Sequence, residues 1–89
     1  MQQLIESIGK YLLAVVSPLI EHPETAELRV AQTEDGDGVR FRLLLDQADV
    51  ARVIGRNGMT ASTIRSLAKA AGEKQGAKVV VHILSREEA

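Results

Sequence analysis

Eighty-nine residues, 45% of them apolar, with no cysteine and a formal net charge of −1, fit one domain with a single buried core. They exclude a disulfide-stapled scaffold and a thiolate metal site, and the net charge excludes a uniformly basic polyanion binder. The distribution of charge is more telling: residues 1–50 carry nine acids against Lys10, Arg29, Arg40 and Arg42, whereas from Arg52 to Lys78 six bases face the single acid Glu73. One basic end is enough to bind a polyanion locally; charge scattered by chance over a solvated surface is the plainer alternative.

Leu4, Ile5, Ile8, Leu12, Val15 and Val16, with Tyr11 beside them, recur at steps of three and four and predict an opening helix. Ser17-Pro18 marks a kink or restart, and a last turn through Leu19-Ile20 ends before His22-Pro23, because a residue preceding proline is pushed out of the helical region. The helix region therefore spans about 2–21. No basic leader precedes these residues, and the apolar run Tyr11 to Val16 is far shorter than the about 20 residues a bilayer requires. The expectation is a soluble, cytoplasmic protein without a membrane partner.

Alternation then predicts two strands, Glu27–Ala31 and Val39–Leu45, joined by the turn Glu34-Asp35-Gly36-Asp37-Gly38 as an antiparallel hairpin. Arg40 and Arg42 share the face opposite Phe41 and Leu43. Asp46 or Asp49 serves as a cap for a short helix with Val50, Val53 and Ile54 at helical spacing. After the loop Gly55–Gly58 a longer helix resumes at about Met59, with Ile64, Leu67, Ala68 and Ala71 as its buried stripe and Arg65 and Lys69 on another face. Gly72 weakens that helix, Gly76 terminates it, and Ala77–Leu84 is a Val-rich final strand. The core spans about 27–84, and Ser85 to Ala89 is a short polar tail. The order α-β-β-α-α-β in one short chain predicts an α+β two-layer fold. Two helices join the second and third strands, which favours parallel pairing there and a mixed three-stranded sheet.

Val53-Ile54-Gly55-Arg56-Asn57-Gly58 carries the functional signal. Glycines on both sides let the backbone turn sharply and let a ligand approach closely. The loop amides and the start of the next helix offer donors that suit a phosphate. Arg56 adds a cation, and Thr60, Ser62 and Thr63 add hydroxyls. Asn57-Gly58 alone would suit a type I′ hairpin turn, but both flanks have helical rather than alternating spacing. A plain helix–helix connection, with glycine for geometry only, is the other alternative.

The run Val53 to Arg65 resembles the Ile-Gly-x-x-Gly signature of KH domains, whose loop clamps about four nucleotides of backbone, and the element order resembles the bacterial type II form over roughly residues 2–84. The resemblance implies a binder of single-stranded RNA contacting it through Ile54, Gly55, Arg56, Asn57, Gly58, Met59, Thr60, Ile64, Arg65 and Lys69. Val53, Ile54 and Ile64 would floor a groove with the loop at one edge and the final strand at the other. The variable loop would be only Glu73–Lys78, implying a narrow contact with low sequence selectivity. Met59 departs from the family, where a basic residue commonly follows the second glycine. The resemblance also implies an RNA chaperone linked to cell shape and cell-wall synthesis, working with a second small KH protein.

Neither catalysis nor a cofactor is expected. His22 and His82 have no acidic or nucleophilic partner at a meaningful spacing, and no phosphate loop or metal cluster appears. Asp35 and Asp37 look like a fragment of a calcium loop but lack the Glu it needs. Tyr11 and Phe41, the only aromatics, read as core, which disfavours folds that stack bases on aromatic platforms. The competing functional class is a protein-interaction module: Val80, His82 and Leu84, with Leu44, would form an apolar outer sheet face suited to a homodimer or another partner.

Overall fold

The computed structural model describes residues 2–34 and 36–88. Helix α1 (Gln2–Val16) runs into a 3₁₀ turn at Ser17–Leu19, with a further 3₁₀ turn at Pro23–Thr25. Strands β1 (Glu27–Gln32) and β2 (Gly38–Leu45) precede helices α2 (Gln47–Ile54) and α3 (Met59–Lys74), and strand β3 (Lys78–Ser85) completes the sheet. Its order is β1-β2-β3, with β1 antiparallel and β3 parallel to β2. The α-β-β-α-α-β order and the mixed sheet are those expected. Of the expected hairpin turn and tail, Asp35 and Ala89 lie outside the described residues.

The core lies between the sheet and the helices. Alternation along β2 turns Val39, Phe41, Leu43 and Leu45 inward, where each is fully buried, and β3 adds Val79, Val81 and Ile83. From the helices come Ile8, Leu12 and Val16 of α1, Val53 of α2, and Ala61, Ile64 and Ala68 of α3. Each large apolar side chain so buried contributes about 1.5–3 kcal/mol. Phe41 is core as expected, but Tyr11 is only half-buried: its hydroxyl donates to the Ile64 carbonyl at 3.3 Å, and burial pushes its phenol pKa up.

Several expectations are corrected. The buried stripe of α3 is Ala61, Ile64, Ala68 and Gly72. Leu67 is 56% exposed and Ala71 is also exposed, because α1 covers only the edge of α3 nearest the sheet. Gly72 is a contact rather than a weakness, since a Cβ there would stand 2.2 Å from Val79 Cγ2. The link from α3 to β3 is only Gln75–Ala77, closed by Gly76 N–H to Glu73 O and Ala77 N–H to Gly72 O, a Schellman pattern. Glu73 and Lys74 are therefore helical. The tail is built: Arg86–Glu88 forms a 3₁₀ turn, and Arg86 Nη1 donates to Thr25 O at 2.9 Å and reaches Glu27.

The outer sheet face is not apolar either. Leu44 is 1% exposed, and the register sets Arg29, Arg42 and His82 in one row across the three strands. Of the apolar residues expected on that face only Val80 is an exposed large side chain, beside Arg40; Met59 and Leu67 on α3 are more exposed.

Asp46 caps α2, its carboxylate accepting from Ala48 N–H at 3.0 Å. Asp49 does something else. It is fully buried, and its two carboxylate oxygens accept from the amides of Glu21 and His22 at 2.9 Å each and from Arg52 Nη1 at 2.8 Å. Burial alone would raise its pKa, but the two amide donors and the Arg52 guanidinium outweigh that and hold the carboxyl below the ordinary carboxylate range. The folded state thus binds the Asp49 proton less readily than the unfolded chain. Its stabilising contribution is complete above about pH 4 and is lost as pH falls through the folded pKa. Asp49→Ala removes the acceptor of two part-buried amides and the partner of Arg52, and is expected to lower the melting temperature by roughly 5 °C or more. In Asp49→Asn, a plot of melting temperature against pH should flatten below about pH 4 relative to wild type; both are read by circular dichroism.

Candidate nucleic-acid interface

The loop is built by backbone conformations that few residues accept. Gly55 ends α2 at φ 74°, ψ −176°, a region essentially restricted to glycine. A Cβ there would also lie 2.5 Å from Thr60 Oγ1 and 2.9 Å from Thr60 Cβ. Asn57 (φ 58°) and Gly58 (φ 73°) are consecutive left-handed residues, a conformation asparagine tolerates through its short polar side chain. Residues Arg56–Gly58 form one 3₁₀ turn, closed by Gly58 N–H to Gly55 O at 3.3 Å. The chain enters α3 directly at Met59, so residues 55–58 join two helices and are not a hairpin.

No side chain caps α3, whose N-cap is Gly58; the Met59 N–H already donates to the Arg56 carbonyl, so an external acceptor would find its donors among the first-turn amides that follow it. Arg56 and Asn57 are exposed, and their side chains make no hydrogen bond or ion pair among the described residues. Met59 projects 68% exposed beside them. Thr60 is half-buried against Gly55, and Thr63 Oγ1 is spent on the Met59 carbonyl at 2.9 Å.

From the loop, α3 carries Arg65, Ser66 and Lys69, with the acid Glu73 at the far end, along one side of a groove of about 560 Å³ whose other wall is Lys78 to Val81 of β3. Arg65 and Lys69 are exposed and unpaired among the described residues. The expected residues therefore divide. Gly55, Arg56, Asn57, Gly58, Met59 and Thr60 meet at the loop, and Arg65 and Lys69 meet at the groove. Ile54 is 37% exposed on the last turn of α2, but Ile64 and Val53 are buried in the core and neither lines the groove; Ile64 borders instead a hollow on the α1 side of α3. Arg52, counted with the basic end, is held by Asp49 and Glu21. Lys78 and Val80 join the wall because β3 is an edge strand, a fact of pairing that no local pattern carries. Among the described residues no cluster of His, Asp or Glu is placed to hold a metal, and no helix is long and apolar enough to cross a membrane.

A three-stranded mixed sheet under three helices, with a Gly-x-x-Gly turn joining the second helix to the third, defines a KH domain of the type II order. A family model described as "KhpA/KhpB, KH domain" matches residues 9–83, and the chain belongs to that family. Among curated relatives, it is 38% identical over 63 residues to RNA-binding protein KhpA of Streptococcus pneumoniae, covering 71% of this chain and 77% of the relative. It is 35% identical to RNA-binding protein KhpA of Bacillus subtilis (81% and 86% covered) and 33% identical to that of Listeria monocytogenes (82% and 93% covered).

The two loop glycines should respond differently to substitution. Gly55→Ala meets both a forbidden conformation and Thr60, and is expected to cost about 3 kcal/mol or more. Gly58→Ala has open space for its Cβ and only a left-handed φ to bear, for about 1 kcal/mol. Urea unfolding of the two variants measures the difference.

Proposed function

We propose that the chain binds single-stranded RNA, gripping the sugar-phosphate backbone with the Gly55–Gly58 loop and laying the strand along the α3–β3 groove. The observation that carries this reading is the juxtaposition of an uncapped helix start, the unpaired Arg56 and a groove edged by Arg65 and Lys69. Phosphate oxygens would take the open amides of the α3 first turn and the Arg56 guanidinium, while bases lie against the aliphatic wall of β3. The narrow groove and the scarcity of aromatic side chains suit low sequence selectivity. Membership of a family whose curated relatives are named RNA-binding proteins supports the same reading. By that resemblance the role is that of a cytoplasmic, non-enzymatic RNA chaperone or post-transcriptional regulator, tied to cell shape and cell-wall biogenesis and acting with a second KH protein resembling KhpB.

Arg56→Asp with Asn57→Asp sets two anions where phosphate must sit. Affinity for single-stranded RNA is expected to fall strongly, with stability changed by roughly 0.5 kcal/mol or less because both side chains are exposed. Wild-type affinity should fall with added salt in proportion to about three to five phosphate contacts. Arg65→Ala or Lys69→Ala should weaken binding less, and by similar amounts across sequences. Unchanged affinity in the folded loop variant would end this reading.

A second reading, as an interaction module, draws on a different surface from the outer sheet. Tyr11 and Leu67 line two adjoining apolar hollows between α1 and α3, of about 400 and 320 Å³, with Met59 at the loop end. Homodimerisation through this side is expected to appear as a species heavier than 9.6 kDa in sedimentation equilibrium at micromolar concentration and to be weakened by Leu67→Glu; a monomer throughout would remove it.

A further inference from the structure

The sheet's outer face carries two guanidinium groups, those of Arg40 and Arg42, that no side chain among the described residues pairs. Arg29, Arg42 and His82 form one row across the strands, and Ala31, Arg40 and Val80 form the next. Arg42 and His82 are exposed and Arg40 is half-buried. Glu27 is committed elsewhere: its hydrogen bond from Arg29, with Arg86 adding to it, holds its carboxyl below the usual range. Among the described residues Arg40 and Arg42 have no hydrogen-bond or ion-pair partner. The other nearby carboxylates sit at the ends of the face. Glu88 shares a hollow with Arg29, Arg42, Leu44, His82 and Leu84 without an ion pair to Arg42, and Asp37 lies in the hairpin turn, where its carbonyl accepts from Lys78 N–H.

Like charges directly opposite on a β ladder are destabilising, and Arg29 faces Arg42 in register, an opposition that the Glu27 carboxylate on Arg29 offsets only on one side. A polyanion would reverse that penalty. Guanidinium groups take phosphate oxygens two at a time. Arg40 and Arg42, two residues apart on β2, are separated by about 6.7 Å, close to the spacing of neighbouring phosphates in a nucleic-acid strand. There is also a route to them. β3 is an edge strand, and Lys78 and Val80 belong to its outward-facing set yet line the α3–β3 groove. One strand spacing of about 4.8 Å separates β3 from β2.

We propose that a single-stranded RNA held in the groove leaves over the β3 edge and continues across the outer sheet face, its phosphates on Arg40 and Arg42 with Arg29 beside them. The footprint is then longer than the about four nucleotides that a Gly-x-x-Gly loop clamps. This rests on the RNA-binding reading of the loop. An acidic protein segment would also suit the charge, but only a strand already in the groove is delivered to this edge.

The test is fluorescence anisotropy with labelled single-stranded RNAs of about five and about fifteen nucleotides, using wild type, Arg40→Gln/Arg42→Gln and the loop variant Arg56→Asp/Asn57→Asp. The sheet variant is expected to keep its affinity for the short RNA within about twofold and to lose about tenfold for the long one, as removal of two phosphate contacts implies. Its salt slope for the long RNA should be shallower by roughly 1.4, and its melting temperature no lower than wild type, because a like-charge contact has gone. The loop variant should lose both RNAs. Wild-type affinity for the long RNA in the sheet variant, or equal loss of both lengths, overturns the proposal. If wild type binds neither RNA at low salt, the loop reading fails and takes this one with it. If the loop variant keeps the long RNA while the sheet variant loses it, the loop reading fails and the outer face stands. Binding of poly-glutamate that the sheet variant abolishes, with RNA affinity unchanged, would assign the face to an acidic protein and overturn the RNA route.

Discussion

The buried carboxylate of Asp49 ties the connection between α1 and β1 to α2. Between α1 and β1 the backbone leaves regular structure, and the amides of Glu21 and His22 would otherwise point inward without acceptors. Asp49 takes both, one on each oxygen, while Arg52 on the next turn of α2 closes the charge and reaches Glu21 as well. This fixes α2 against the end of α1. Because α2 leads straight into Gly55, the loop inherits its position from a contact on the far end of its own helix. A buried charge is tolerable only when its acceptor capacity is filled in this way, and here three donors fill it.

Much of this fold was legible in the sequence because the hydrophobic period switches cleanly between 3.6 and 2 at each boundary, and glycine, proline and aspartate mark the joints. The loop was legible for the same reason: helical spacing on both sides of Asn57-Gly58 excluded a hairpin. What could not be read depends on residues distant in sequence. Leu67 and Ala71 fall on the same arc as Ile64 and Ala68, and only the placement of α1 decides which edge of that arc is covered. Asp49 stands near a helix start and so resembles a cap, yet its two amide donors lie 28 and 27 residues away. Alternation placed Arg40 and Arg42 on one face; that Arg29 and His82 complete a row with Arg42 follows from the register of two strand pairs.

The candidate site divides along similar lines. Residues of the loop are contiguous, so a motif gathers them. The groove needs α3 and β3 side by side, and its wall residues Lys78 and Val80 have no local signature at all. Ile64 is the converse case: position in the motif suggested a groove floor, whereas at 2% exposure it is a core residue that does not line the groove.

Gly72 gives the groove a further property. With no side chain at that position, α3 closes onto Val79, and the three-residue link to β3 leaves no slack to separate them. The two walls are thus set at a gap that side-chain rearrangement cannot widen from the closed end. An RNA strand bound there as proposed would be gauged by its thickness, and purines and pyrimidines present nearly the same thickness edge-on. Indifference to sequence would then be a mechanical property of the domain, built in by the absence of one methyl group far from the loop.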